Sequence, residues 1–477
     1  MPGFARRGRD LVLLLALVVA GAAVIERASP IGTHGEAREA LVVRDIVRSG
    51  HWVLPRRSGA LPSKPPLFHW IAAGIARVGG LSDASVRGAS VLAAAVVAAT
   101  TWLLGEGDGG RRAAWLAAGA LLGMGPFWGA ATEARVDMVF AACLTLALGG
   151  FWRWYRAACV GRPAAAPRTL CYLAAAAAVL AKGPAGVVLV AVPILVFLAW
   201  AGRLDLLARL WSWRLAAAAL AIDAGWYALA AREGGMAFLR LHFVQENLDA
   251  VFARRDYALH ARGNAFRHAR LGMAAVLAVK YLPWSLVVPV AAWRGLRGAR
   301  TDETGRFLHA WWLAVLGTFT LALGNKRPVY ILPLAPAIAL LAARELARAR
   351  GPRGVVVAAA VVLVDVVAVG GTRADRVHLA KRESLAPFAA EVARAVPPGP
   401  PLRIAPDVWP TDVMILDWRL DRDLLREQPR CDGGYVILPQ PSLASLVRRG
   451  WTPLQASRRR RPPQLVLARA PAACPAP

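Results

Sequence analysis

Apolar residues along this chain come in blocks of roughly 17 to 23, the length that carries a helix across a bilayer, and not in the short alternation of a soluble fold. The blocks fall at 10–26, 86–104, 113–129, 136–152, 169–181, 184–201, 215–231, 272–293, 307–323, 329–343 and 354–371, of which 169–181 and 329–343 are short. They predict an α-helical multi-pass membrane protein of about 11 to 13 spans. The first block follows a basic start and mimics a signal peptide, but no small-residue cleavage site closes it, so it reads as an uncleaved helix. Two long polar stretches, 27–85 and 232–271, interrupt the pattern. In the first, "GTHGEAREALVVRDIVRSGHW" predicts a short amphipathic helix with Ala40, Val43 and Val47 on one side. Arg44, Asp45 and Arg48 line the other, and Gly50 supplies a stop.

From about residue 372 the period changes. "LRIA", "DVMILDW", "GYVILP" and "QLVLARA" read as short strands, and "ESLAPFAAEVARAV" as an amphipathic helix before them. The expected organisation is therefore a transmembrane domain over 1–371 and a small extracytoplasmic α/β domain over 372–477. "SRRRRPPQ" in the tail reads as a solvated turn.

Charge gives the chain a direction. The 477 residues carry a formal net charge of +28, and arginines crowd alternate short connections, beginning with Arg6, Arg7 and Arg9, then Arg111 and Arg112, then Arg153, Arg156, Arg162 and Arg168. The opposite short connections, "WGAATEAR", "KGP" and "GNKRP", hold few. The positive-inside rule puts the N-terminus in the cytoplasm and the C-terminus outside, since long loops translocate regardless of charge. With no soluble basic domain, the arginines face anionic lipid and not nucleic acid. Cys143, Cys159 and Cys171 lie in or beside apolar segments, whereas Cys431 and Cys474 fall where a disulfide could form.

The candidate chemistry sits where the lysines are. Of the 58 basic residues, five are lysine: Lys64, Lys182, Lys280, Lys326 and Lys381. In a chain that uses arginine almost everywhere, a lysine marks a place where a compact ammonium fits and a planar fork does not. One lysine beside a helix end is ordinarily an interfacial anchor. Three on the outer side, each close to a proline in "SKPP", "AKGP" and "NKRP", point instead to a shared cavity at membrane depth. Converging cations imply an anionic ligand with a greasy remainder, and a lipid phosphate meets both demands. The acids point the same way. Glu133 and Asp137 lie four apart as the fourth span enters, Glu36 sits in the first turn of the loop helix, and "HFVQENLDAVFARRDY" brings Glu246, Asn247 and Arg254.

The ordered blocks "EAREALVVRDIVRSGHWVLP", "LPSKPPLFHWIAA", "VDMVFAACLTLAL", "AKGPAGVVL", "FVQENLDAVF", "YLPWSL" and "NKRPVYILPLAP" resemble the GT-C glycosyltransferases that use polyprenyl-phosphate sugars. The nearer resemblance is to bacterial lipid A aminoarabinose transferases, the more distant to protein O-mannosyltransferases. It implies an enzyme of the bacterial inner membrane that moves one sugar from an undecaprenyl-type phosphate to a lipid, glycan or protein acceptor on the outer face, with inversion. It implies a phosphate contact at Lys64, a second phosphate or acceptor contact at Lys182, and closure of the cavity by Lys326 and Tyr330. Arg38, Glu133, Glu246, Asn247 and Arg254 join the expected substrate-binding set. No cofactor is required, because the donor is a monophosphate that lysine and arginine can neutralise; a divalent metal is compatible but not indicated.

Two positions depart from the family. Its first outer loop usually opens with Asp-Glu, where this chain has Gly35 and Glu36, and the residue before the lysine is often acidic, where this chain has Ser63. A hydroxyl acceptor needs a general base, worth about 10²- to 10⁴-fold, whereas a phosphate acceptor, with its second pKa near ~6, is already anionic. Glu36 and Asp137 acting together are the expected catalytic acids. The competing readings are a lipid or sugar transporter, which would show paired broken helices in two halves, and a non-catalytic relative that binds lipid-linked sugar.

Overall fold

The structure, a computed structural model, describes residues 2–27, 30–249, 271–297, 302–322, 327–348, 360, 363, 384–397, 399–459 and 462–473. Helix α1 (Pro2–Arg27) carries the first apolar block unbroken. The loop helix α2 (His34–Ser49) forms as the sequence predicts: the Thr33 side chain accepts from the Glu36 amide at 3.3 Å, and Gly50 ends the helix at φ 74°. Helix α3 (Leu67–Gly79) starts directly after Pro65 and Pro66.

Next comes α4 (Asp83–Gly123), which spans two of the expected blocks. Its helical geometry breaks at Gly109 and at Gly110, where φ is 70°. A Cβ on Gly105 would lie 3.1 Å from Ala114 Cα, so the two halves double back as a hairpin. The chain continues through α5 (Gly125–Ala131), α6 (Val136–Cys159), α7 (Ala165–Lys182), α8 (Ala185–Ala201), α9 (Leu206–Leu210) and α10 (Trp213–Leu239). A π-helical segment, Arg240–Leu248, extends α10.

The helices Ala5–Glu26, Asp83–Gly123, Val136–Cys159 and Pro328–Arg348 are each long and apolar enough to cross a membrane. The span expected at 272–293 is not straight. It divides into Gly272–Lys280 and Trp284–Arg294, bent by 117°, because Pro283 lacks the N–H that would continue the ladder. The block at 354–371 lies outside the described residues. Deep in the bundle, aromatic rings replace the small residues found elsewhere: Trp152 stacks on Phe307 at 4.7 Å, and Phe197 meets Tyr155 edge-on at 4.8 Å.

Toward the C-terminus lies a five-stranded sheet of β1 (Leu402–Ile404), β2 (Leu425–Arg426), β3 (Tyr435–Pro439), β4 (Thr452–Ala456) and β5 (Leu465–Arg469). The order is β2-β1-β3-β5-β4; β1 runs parallel to β2 and β3, and the remaining pairs are antiparallel. Three of the four expected strands are present. The fourth, "DVMILDW", is instead the helix Pro410–Arg419. Pro410 is suited to a first helical turn, and Asp412, Ile415, Leu416 and Trp418 are buried at helical spacing. The helix expected before the sheet spans Ala386–Ala395.

The tail turn is also more than solvated polar residues. Arg459 is buried and bonds both oxygens of Asp412, at 2.9 and 2.7 Å. Cys431 is disulfide-bonded, while Cys474 lies outside the described residues.

On the polar face of α2, Arg44 and Arg48 seat the sheet domain. Arg44 Nη1 donates to the Asp417 carbonyl at 2.7 Å, Arg44 also pairs with Asp423, and Arg48 pairs with Asp421. Ser58 Oγ donates to Asp417 Oδ2 at 3.0 Å. Beside them Trp418 Nε1 donates to Asp83 Oδ1 at 2.8 Å, and Arg419 Nη2 to Asp83 Oδ2 at 2.7 Å. The domain thus sits at the end of the bundle where α2 lies and α4 begins.

Candidate functional site

Three chain breaks meet at that same end. The first is the Lys64 turn, made non-helical by Pro65 and Pro66 before α3 begins. The second is the entry to α6, where Arg135 is the extended N-cap residue (φ −146°, ψ 151°) and Asp137 lies in the first turn. The third joins α7 to α8: Lys182 is the last residue of α7, Gly183 takes φ 76°, and Pro184 caps α8. Gly183 has no side chain to spare. A Cβ there would lie 3.6 Å from the Tyr227 hydroxyl and 3.8 Å from Asn247 Nδ2, which puts α10 and its π-helical extension over the turn.

Ion pairs join these breaks. Lys182 Nζ donates to Asp137 Oδ1 at 2.6 Å, and Arg135 Nε donates to Asp137 Oδ2 at 3.2 Å. Lys64 Nζ donates to Glu246 Oε2 at 2.7 Å, and its charge also bears on Asp137. The Lys182 ammonium lies 4.7 Å from the Tyr330 ring centre and 5.2 Å from that of Phe140, within cation–π range. Tyr330 itself stacks on Phe319 at 5.5 Å.

Most of the residues expected from the sequence therefore belong to one constellation: Lys64, Asp137, Lys182, Glu246, Asn247 and Tyr330. Glu133 supplies backbone bonds at the α6 entry, its carbonyl accepting from the Arg135 amide at 2.8 Å and from Ser90 Oγ at 2.7 Å. Arg38 adds its charge to the field around Glu246 and Arg135. Arg254 and Lys326 lie outside the described residues.

Glu36 has a different setting from the one expected. Its Oε1 accepts from Arg87 Nε at 2.8 Å and from the Ala134 amide at 3.1 Å, and its Oε2 faces the Thr33 hydroxyl at 3.4 Å. Instead of joining Asp137, it ties α2 to α4 and to the chain entering α6. Both it and Arg87 are buried. Gly35, where the resemblance leads to the expectation of an acid, is pressed against Arg135: a Cβ on it would come within 2.6 Å of Arg135 Nη1.

Several members were not found by sequence reasoning. Arg135, Phe140, Tyr227 and His242 carry no motif of their own, although Arg135 lies two residues before an acid already singled out. His242 Nε2 donates to the Pro62 carbonyl at 3.0 Å, which pins the segment leading to Lys64, and burial pushes the imidazole down to about 4. Among the described residues, no group of three or more His, Cys, Asp or Glu side chains is arranged to hold a metal ion.

The helix arrangement with its appended sheet is the GT-C glycosyltransferase fold, and the chain resembles the branch that uses polyprenyl-phosphate sugars. It superimposes on ArnT from Cupriavidus metallidurans bound to undecaprenyl phosphate with a TM-score of 0.77, at 19% identity, over 98% of this chain and 99% of that one. The archaeal oligosaccharyltransferase AglB from Archaeoglobus fulgidus gives a TM-score of 0.54 at 14% identity, over 90% and 69% of the two chains. Residues 63–227 match the family described as dolichyl-phosphate-mannose-protein mannosyltransferase. In sequence, the chain is 30% identical over 350 residues to the undecaprenyl phosphate-alpha-4-amino-4-deoxy-L-arabinose arabinosyl transferase of Pseudomonas savastanoi pv. phaseolicola, covering 71% of this chain and 62% of that protein. It is 27% identical over 314 residues to the protein of the same name from Shewanella sediminis, covering 65% and 54%. The chain thus spans between 54% and 62% of the length of these relatives.

Proposed function

We propose that this membrane protein is a glycosyltransferase that moves a single sugar from a polyprenyl phosphate to a lipid, glycan or protein acceptor at the outer face of a bacterial inner membrane. The observation that carries the reading is the meeting of Lys64, Lys182 and Arg135 with Asp137 and Glu246 where three helix breaks converge. In this reading the N-terminus is cytoplasmic, and the sheet domain shares the extracytoplasmic side with the site.

The chemistry follows from charge. An acceptor oxygen attacks the anomeric carbon from the face opposite the phosphate. The anomeric carbon–oxygen bond breaks, and its electron pair stays on the phosphate, which passes from monoanion to dianion. Cations held at that oxygen stabilise the growing charge, and electrostatic stabilisation of this kind ordinarily lowers the barrier more than any other single effect. Lys64 and Lys182 are suited to this task because each already faces a carboxylate and can exchange it for phosphate with little loss of pairing. That exchange frees an oxygen of Asp137 to take the proton of a hydroxyl acceptor; a phosphate acceptor needs no such transfer. Glu36, held by Arg87 and a backbone amide, serves in this reading as an anchor and not a base.

The test is sugar transfer in membranes supplied with undecaprenyl-phosphate-linked sugar. Lys64→Ala and Asp137→Asn should insert normally and lose transfer. Full transfer by both variants would overturn the site, and a wild-type chain that leaves every supplied donor untouched would favour the non-catalytic reading.

A further inference from the structure

The proposed mechanism leaves one buried polar cluster unused. Glu39 on α2 and His69 in the first turns of α3 are almost wholly shielded, at 3% and 1% exposure. His69 Nε2 donates to Glu39 Oε2 at 2.7 Å. The other carboxylate oxygen accepts from Arg38, whose Nε lies 2.8 Å away and whose Nη2 bonds it as well. His69 Nδ1 is buried with no partner among the described residues, so the ring's hydrogen bonding is spent on Glu39 alone.

Such a cluster needs a reason. Buried ionic groups of this kind can often be exchanged for apolar residues of similar volume with no loss of stability, so packing does not call for them. What they supply is direction. Arg38 is a long side chain with many rotamers, and a carboxylate bonded to two of its nitrogens fixes its plane. The Arg38 charge also bears on Glu246, the partner of Lys64. The same carboxylate grips α3 five residues after Lys64, beyond the stiff Pro65–Pro66 pair. Although burial opposes its ionisation, the Arg38 charge and the His69 bond hold Glu39 well below the ordinary carboxylate range.

We propose that Glu39 and His69 are positioning residues, a buried bracket that sets Arg38 and the Lys64 turn in mutual register to receive the phosphate of a polyprenyl carrier. This inference rests on the donor class proposed above. It adds two residues that touch no substrate and act only through Arg38 and Lys64.

The experiment measures binding of undecaprenyl phosphate to the full chain in lipid nanodiscs, with thermal unfolding recorded on each sample. Glu39→Gln and His69→Leu should each weaken binding about tenfold, a change of roughly 1.4 kcal/mol. His69→Gln, which places an amide nitrogen where Nε2 lies, should stay within about threefold of wild type. In an Arg38→Ala background, Glu39→Gln should cost clearly less than in the wild type, only the part that runs through His69 and the Lys64 turn remaining, because residues that act through one another are not additive. Wild-type affinity in both Glu39→Gln and His69→Leu would overturn the inference while leaving the function intact. So would a Glu39→Gln loss that persists undiminished without Arg38, which marks general damage. Should His69→Leu fail to yield monodisperse protein, the Arg38–Glu39 pair decides the outcome alone. A wild-type chain that does not bind undecaprenyl phosphate sinks the proposed function, and the bracket with it.

Discussion

Glu36 and Asp137 are equally hidden acids at neighbouring helix entries, and each holds an arginine. Their surroundings differ in one respect. The Glu36 partner, Arg87, is itself sealed, with 3% of its side chain exposed, whereas the Asp137 partners Lys182 and Arg135 are 14% and 25% exposed. A sealed pair has no route for exchange, and removing either member leaves an uncompensated charge. A pair whose cations reach the opening can trade partners with an incoming anion. In the proposed function, what separates an anchor from a reactive acid is the access of the partner and not the burial of the acid.

Substitution at these two acids should break the comparison most sharply. Asp137→Asn is expected to lower transfer by about 10²- to 10⁴-fold with little change in the thermal midpoint. Glu36→Ala should do the reverse: a loss of about 3 to 5 kcal/mol in stability from breaking the buried pair with Arg87, with transfer per folded molecule close to wild type. Denaturation and activity recorded on the same nanodisc samples separate the two, and an equal loss of activity in both variants would merge anchor and site.

Gly35→Ala sharpens the boundary between them. The new Cβ meets the far end of Arg135, which can shift, so a fall in transfer of a few-fold is expected. Stability should hold or rise, since alanine gains up to about 1 kcal/mol over glycine inside a helix. A parallel assay of turnover and melting checks both signs.

The smallest effect concerns a third acid, at the seat of the sheet domain. Burial pushes Asp417 up to about 6 from an ordinary 3.8, against the bonds it accepts from the Leu424 amide and Ser58. Between those values the folded chain holds a proton that the unfolded chain has released. The Asp417 contribution to stability therefore falls as pH rises from about 4 to about 6. Asp417→Asn should flatten this part of the profile, and midpoints compared at pH 4.5 and 6.5 would read it.

Much of the site could be read before the fold was known, for a local reason. Lys64 and Lys182 stand within two residues of prolines that interrupt helix, and a charge at such a break within an apolar chain has few uses other than a cavity. Asp137 lies at the entry of a span and Glu246 in the polar stretch 232–271, on the same expected side. Glu36 shares some of those cues, but its partner Arg87 lies on a different helix, and no local cue names it. The partners of Arg44 and Arg48 were hidden for a similar reason: a polar helix face looks the same whether it meets water or a domain some 370 residues away. "DVMILDW" suits either strand or helix by composition, and only packing against the sheet and α2 selects the helix.

The sequence by itself determined that this chain spans a membrane repeatedly, which end of the bundle is polar, and which lysines break its arginine habit. These follow from hydrophobic length, loop charge and proline stereochemistry, all of which act over a few residues. The tertiary structure alone decided which acid faces which cation, that α2 seats the sheet domain with Arg44 while Arg38 pairs with Glu39, and that Glu39 and His69 meet. Those are choices of partner across long loops, and no local period encodes them.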